Sequence, residues 1–167
     1  LREEGQIRAL IDFDPEDETR FVGDAIRILC HALGPEVPVV GFAGAPWTLA
    51  CYMLEGRSKD GFPAAKKLLY EDPQLLRSLL EKIARVTARY LSAQIAAGAS
   101  AVQLFDTWAG ELSRQDYEEF ALPPTQLLIS GIEPKGVPVI LYTKASSHLL
   151  SGLKCAGADV LSVDWRV

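Results

Sequence analysis

The residues of this chain best equipped for chemistry stand just past short apolar runs. Gly41-Phe42-Ala43-Gly44 leads through Ala45-Pro46 into Trp47-Thr48-Leu49-Ala50-Cys51-Tyr52, and Gln103-Leu104-Phe105 leads into Asp106-Thr107-Trp108. Later, Ile140-Leu141-Tyr142 leads into Thr143-Lys144, and Leu161-Ser162-Val163 into Asp164. Hydroxyls and a phenol can donate hydrogen bonds to an anion, an ammonium can hold one, and a carboxylate can cap or brace a loop. Thr48 and Tyr52 fall one helical turn apart, while Leu49 and Met53 share a different face. An apolar face can therefore pack while a hydroxyl and a phenol point elsewhere. This window alone serves a binding site and a buried tyrosine with a satisfied hydroxyl equally well.

The elements that must position these residues follow from periodicity and breakers. Ile7 to Phe13 reads as a loop or a short extended piece. Asp14-Pro15-Glu16-Asp17 is a helix start, and the helix should run to about Leu33 with Phe21, Ala25, Ile28, Leu29 and Ala32 as its apolar stripe. Gly34-Pro35 stops it, Val37 to Phe42 is a buried strand, and a short helix follows Pro46. After a loop over 57–62 and a short helix from Phe62 to Tyr70, Asp72-Pro73 opens the longest helix. That helix should end near Ala97, with Leu76, Leu79, Leu80, Ile83, Val86, Tyr90 and Leu91 in its stripe. Ala101 to Asp106 is a second strand. Ser113-x-x-Asp116 caps a helix that Pro123-Pro124 should break or kink before about Ile132. Val137 to Tyr142, a helix over 147–155, and Asp159 to Val163 complete the chain.

Alternation of strand and helix at this spacing predicts βαβ crossovers and a parallel sheet. No Gly-x-Gly-x-x-Gly follows a strand and no P-loop is present, which gives a nucleotide-binding doubly wound sheet little support. Polar residues gathered at the carboxyl ends of successive strands are instead what a (β/α)₈ barrel active site looks like in sequence. Such a barrel needs about 250 residues, so four strands in 167 residues make about half of one.

Composition narrows the function classes. The chain is 49% hydrophobic and 23% charged, as expected of a soluble domain with one core. Its net charge of −5 argues against a nucleic-acid or anionic-membrane surface. No apolar run approaches the roughly 20 residues of a membrane span, and no signal peptide opens the chain. Cys30, Cys51 and Cys155 lack CxxC spacing and read as reduced, mostly buried thiols of a cytosolic protein. With only His31 and His148, no zinc or haem pattern can be built locally. The chain has no initiator Met, and its closing strand has nothing after it to cover it, so it reads as an interior segment of a longer protein.

Two stretches carry a family resemblance. Gly41-Phe42-Ala43-Gly44-Ala45-Pro46-Trp47-Thr48-Leu49 through Tyr52-Met53-Leu54-Glu55-Gly56 resembles the signature of the uroporphyrinogen decarboxylase family. Gln103-Leu104-Phe105-Asp106-Thr107-Trp108-Ala109-Gly110, with Tyr117 and Phe120-Ala121-Leu122-Pro123, is similar to that family's second internal block. Leu1-Arg2-Glu3-Glu4, Tyr142-Thr143-Lys144 and Leu161-Ser162-Val163-Asp164-Trp165 add weaker matches in the same order.

The resemblance implies a single-domain (β/α)₈ TIM barrel, of which residues 1–167 would be a partial domain truncated at both ends. It implies a cytoplasmic carboxy-lyase, often a homodimer, that uses no metal or organic cofactor and has no nucleic-acid or membrane partner. Its substrate would be the tetrapyrrole uroporphyrinogen III, whose four acetate side chains lose their carboxyl groups to give coproporphyrinogen III on the way to haem. By motif, Tyr52 corresponds to the family's substrate-binding tyrosine and Thr107 to its substrate-bonding Ser/Thr. No catalytic residue is carried over, because the family's arginine-bearing segment and pyrrole-facing aspartate precede Leu1 and its histidine follows Val167. The isolated chain is therefore expected to be inactive. Asp106 and Asp164 match no role and suit capping or loop bonding; Lys144 could hold a carboxylate or simply lie along the rim. Ala145-Ser146-Ser147 stands where relatives carry a Gly-rich or Asp-Gly turn. The alternative is a corrinoid- or thiol-dependent methyltransferase of the same barrel, whose zinc needs a His-x-Cys that this chain lacks.

Overall fold

The computed structural model describes residues 4–10, 13–57 and 61–167. Leu1 to Glu3 of the weak opening match lie outside the described residues, as do 58–60 of the expected loop. The chain begins with α1 (Glu4–Arg8), α2 (Pro15–Glu18) and α3 (Arg20–Leu33), then enters β1 (Val40–Gly44). From β1, α4 (Pro46–Glu55), α5 (Pro63–Glu71) and α6 (Pro73–Ala96) carry it to β2 (Ala101–Asp106). Next come α7 (Arg114–Asp116), a π-helical turn over Tyr117–Ala121, α8 (Leu122–Ser130) and β3 (Val139–Thr143). A 3₁₀ turn and α9 (Leu150–Leu153) lead to β4 (Val160–Val163).

All strand pairs are parallel, and the sheet order is β1-β2-β3-β4. A doubly wound sheet reverses its order part-way; a barrel adds each strand beside the last. The fold is thus α/β and corresponds to half of a (β/α)₈ barrel. Alternation decides which face is covered. Val102, Leu104 and Asp106 of β2 and Val139, Leu141 and Thr143 of β3 are buried toward the helices, where Leu76, Leu79, Leu80 and Leu91 of α6 meet them in one core. Phe42, Phe105 and Tyr142 form an aromatic row across the strands, with ring centroids 5.9 and 5.6 Å apart. Phe42 remains 62% exposed, so the second face of the sheet is largely open rather than filled.

Several expectations shift. Of the stretch expected as loop or extended, Ile7 and Arg8 instead close the helix Glu4–Arg8, while Ala9, Leu10 and Phe13 are irregular. The predicted helix from Asp14 to Leu33 is two pieces hinged at Thr19, where φ is −121°. β1 and β3 each begin after the expected Val-Pro, because a proline has no N–H for the ladder; the carbonyls of Val39 and Pro138 still accept from Ser100 and Val102. The α3 stripe does not face the core: Phe21 is 71% and Ile28 68% exposed, and only Ile26 of the helix is buried. Among the thiols, Cys51 alone is fully buried and Cys155 is exposed.

Pro123-Pro124 does not break its helix. The missing Pro123 N–H would leave the Glu119 carbonyl without its partner four residues on. Arg77 supplies one instead: its Nη1 donates to that carbonyl at 2.9 Å, its Nη2 binds Glu119 Oε1 at 2.7 Å, and its guanidinium lies over Phe120. The π-turn absorbs the extra residue just before the prolines, with Leu122 N–H reaching back to Tyr117 O.

Candidate active site

Register places the strand-end residues side by side. Asp106, Thr143 and Val163 pair across β2, β3 and β4, so Thr107, Lys144 and Asp164 follow in one row at the carboxyl edge. Ala45 N–H donates to Phe105 O at 3.0 Å and brings the start of α4 against the same edge. Pro46 at the first helical position then launches α4 with no donor lost.

Below the row lies a buried polar pair. Thr48 Oγ1 donates to Asp106 Oδ1 at 2.8 Å and accepts from Trp108 N–H at 3.2 Å. One hydroxyl thereby ties α4 to the end of β2 and to the loop that carries Thr107. Asp106 is wholly buried, and its Oδ2 has no hydrogen-bond partner among the described residues. Burial pushes its carboxyl up to about 6, although the bonds to Thr48 pull the other way. Burial likewise raises the Cys51 and Tyr117 groups, with the Asp106 charge adding to both.

Above it stands an aromatic group. Trp108 meets Phe62 with centroids 4.9 Å apart and Tyr52 at 6.3 Å, and Tyr52 meets Phe62 at 5.9 Å, all edge-on. Trp47 Nε1 donates to Trp108 O at 3.1 Å, which holds the loop from below. The Tyr52 ring is anchored while 43% of the residue stays exposed, and its hydroxyl has no hydrogen-bond partner among the described residues. The Thr107 hydroxyl has none there either. Phe62 takes φ 59°, a left-handed conformation that costs an aromatic residue strain, as its fully buried ring is set against Trp108.

A cavity of about 810 Å³ lies elsewhere, between the free side of β1, α6 and the N-terminal segment, lined by Leu10, Phe13, Phe42, Met53, Ile83 and Tyr90. Its charged groups are engaged: Lys82 donates to the carbonyls of Arg8 and Leu10, and Arg85 pairs with Glu81. Among the described residues no cluster of three or more His, Cys, Asp or Glu could hold a metal ion, and no helix is long and apolar enough to cross a membrane.

The family model for uroporphyrinogen decarboxylase (URO-D) matches residues 1–167. This chain belongs to that family. A uroporphyrinogen decarboxylase of Geobacter sp. strain M21 is 45% identical over all 167 residues, which cover 49% of that relative. The one from Shigella flexneri is 46% identical over 156 residues, covering 91% of this chain and 44% of the relative. The chain thus spans about half the length of the curated relatives it matches. Among solved structures, a methyltransferase from Methanosarcina mazei superposes with a TM-score of 0.76 at 24% identity, over 86% of this chain and 41% of that one, a likeness of fold.

Against the family frame, Tyr52 and Thr107 both stand at the carboxyl edge, joined through Trp108. Sequence reasoning missed the part played by Thr48, whose hydroxyl was read only as a partner of Tyr52 on one helix face. It also missed Trp108 and Phe62 as the walls. Asp106 does brace a loop, but from full burial, which its place as the last alternating inward residue of β2 could have signalled.

Proposed function

We propose that this chain forms the substrate-pocket half of a uroporphyrinogen decarboxylase, which takes the carboxyl groups from the four acetate arms of uroporphyrinogen III and releases coproporphyrinogen III. The observation that carries this reading is the grouping, in a chain of this family, of two hydroxyls without partners among the described residues, Tyr52 and Thr107, around Trp108 at the strand ends.

The chemistry fits such walls. Protonating the ring carbon next to the one that bears the acetate turns the pyrrole into a conjugated iminium, an electron sink. The bond to the carboxyl carbon then breaks toward that iminium and CO₂ leaves an exocyclic methylene; a proton added to the methylene gives the methyl, and loss of the ring proton restores the pyrrole. Tyr52 and Thr107 donate hydrogen bonds to substrate carboxylates without adding charge, while Phe62 and Trp108 exclude water and strengthen those bonds. Groups that stabilise the pyrrole cation belong, on this reading, to segments outside residues 1–167. The resemblance further supports residues 1–167 as one partial barrel domain, a homodimer for the whole protein, and a cytoplasmic location.

The test is anaerobic incubation of the isolated chain with uroporphyrinogen III. The chain should bind but form no coproporphyrinogen; formation at an enzymic rate would overturn the placing of the catalytic groups elsewhere.

A further inference from the structure

Lys144 is the cation of the strand-end row, and its surroundings are unusual for a surface lysine. It is half-buried, and its Nζ lies 5.5 Å from the centroid of the Trp108 ring, on the indole face. No ion pair holds it among the described residues. The nearest carboxylate along the row, Asp164, is already taken by the Arg166 guanidinium and accepts from Arg166 N–H at 3.2 Å.

The backbone that carries Lys144 is locked. A Cβ at Gly110 would lie 2.2 Å from Lys144 O and 2.8 Å from Ala145 O, so the loop after β2 seats directly on the Lys144 peptide. Thr143 Oγ1 and Ser146 Oγ share a hydrogen bond at 2.7 Å, and His148 Nε2 sits 2.9 Å from Leu112 O. A long cationic side chain on a fixed backbone, stacked on the indole that also touches Tyr52, has lost much of the freedom a surface lysine keeps.

We propose that Lys144 is a substrate-binding residue of this site, whose ammonium takes a carboxylate of a polycarboxylate ligand beside the Tyr52 and Thr107 hydroxyls. The proposal rests on the tetrapyrrole reading above and adds the cation that reading lacks. Tyr52 and Thr107 donate from neutral oxygens; Lys144 adds a full charge over a wall that already excludes water, where an ion pair is stronger than at an open surface.

The experiment is equilibrium binding of uroporphyrin III to the full 167-residue chain, followed by tryptophan quenching, for the native protein and for Lys144→Met and Lys144→Arg. The octamethyl ester of the same porphyrin serves as the uncharged probe, and far-UV circular dichroism checks folding. Lys144→Met should weaken uroporphyrin about tenfold, equivalent to about 1.4 kcal/mol, and leave the ester unchanged. Lys144→Arg should stay within about threefold of native. If Lys144→Met binds uroporphyrin as the native chain does, or loses both probes alike, Lys144 is not the carboxylate site. Should Lys144→Met fail to fold, equal uroporphyrin affinity of the native chain at low and high salt would overturn the proposal. A native chain without saturable uroporphyrin binding would overturn the tetrapyrrole reading itself, and Lys144 with it.

Discussion

Thr48 and Asp106, 58 residues apart, meet through a 2.8 Å hydrogen bond in a place closed to solvent. The bond joins the first turn of α4 to the carboxyl end of β2, and through Trp108 N–H it sets the loop that bears Thr107. Thr48→Val keeps the shape and removes the hydroxyl, leaving the buried carboxylate without its side-chain donor and the part-buried Trp108 amide without its acceptor. A loss of about 2 kcal/mol is expected at pH 7, with Thr48→Ser retaining most of the stability. Urea denaturation of the two variants checks this.

The same pair makes stability depend on pH. Asp106 binds its proton more tightly in the fold, at about 6, than at the ordinary 3.8. Between these values the folded state holds more protons than the unfolded one, so stability falls as pH rises through the window. The contribution is complete below about 4 and lost above about 6, a span worth about 3 kcal/mol. Asp106→Asn keeps an acceptor for Thr48 and cannot ionise. From pH 4.5 to pH 7 the unfolding free energy of the native chain should fall by about 2 kcal/mol more than that of the variant.

Ala145 occupies a glycine's conformation. Its φ of 51° is left-handed, a region glycine enters without a Cβ penalty. A side chain there costs about 1–2 kcal/mol of backbone strain, partly offset by glycine's greater freedom when unfolded. Ala145→Gly should therefore stabilise the chain by roughly 0.5–1 kcal/mol, read as a rise in melting temperature. Gly110→Ala should do the reverse, since its Cβ would strike the Lys144 carbonyl.

Arg77 replaces the helix bond that Pro123 cannot make. Arg77→Met keeps an apolar stem and loses the guanidinium with both its contacts to Glu119 and its place over Phe120, at a cost of about 1 kcal/mol by thermal or urea unfolding.

The exposed stripe of α3 offers the chain an associating surface. Phe21, Ile28, Leu29 and Leu33 are all solvent-facing. Sedimentation of the isolated chain should show oligomers. Ile28→Glu with Leu29→Glu should shift it toward monomer while leaving the unfolding transition nearly unchanged, because neither side chain packs in the core.

Much of this was readable from residue order. β2 falls on the predicted residues, since its run is free of proline and bounded by Ser100 and Thr107. α6 buries Leu76, Leu79, Leu80, Ile83 and Leu91 of the predicted stripe because its period is sustained along the helix, while Val86 and Tyr90 stay half-buried and line the cavity beside β1. The stripe of α3 was equally clear as a pattern, but amphipathicity says that a face will be covered and not by what. The prolines do interrupt the α-helix, as a π-turn rather than a break, and that outcome was not legible because the donor to Glu119 is Arg77, 42 residues distant in the sequence. At the site, Tyr52 and Thr107 came from motif and chain position. The Thr48–Asp106 bond and the Phe62–Trp108 wall are tertiary, and no local window contains them.

The most direct measurement is made on a chimera in which residues 1–167 replace the matched half of the Geobacter sp. relative, assayed for conversion of uroporphyrinogen III to coproporphyrinogen III. The account predicts an active chimera whose kcat/KM falls about tenfold to hundredfold with Tyr52→Phe and comparably with Thr107→Val, the loss expected when a donor to a charged group is removed. A folded chimera that forms no coproporphyrinogen, or one that both substitutions leave at full rate, would contradict it.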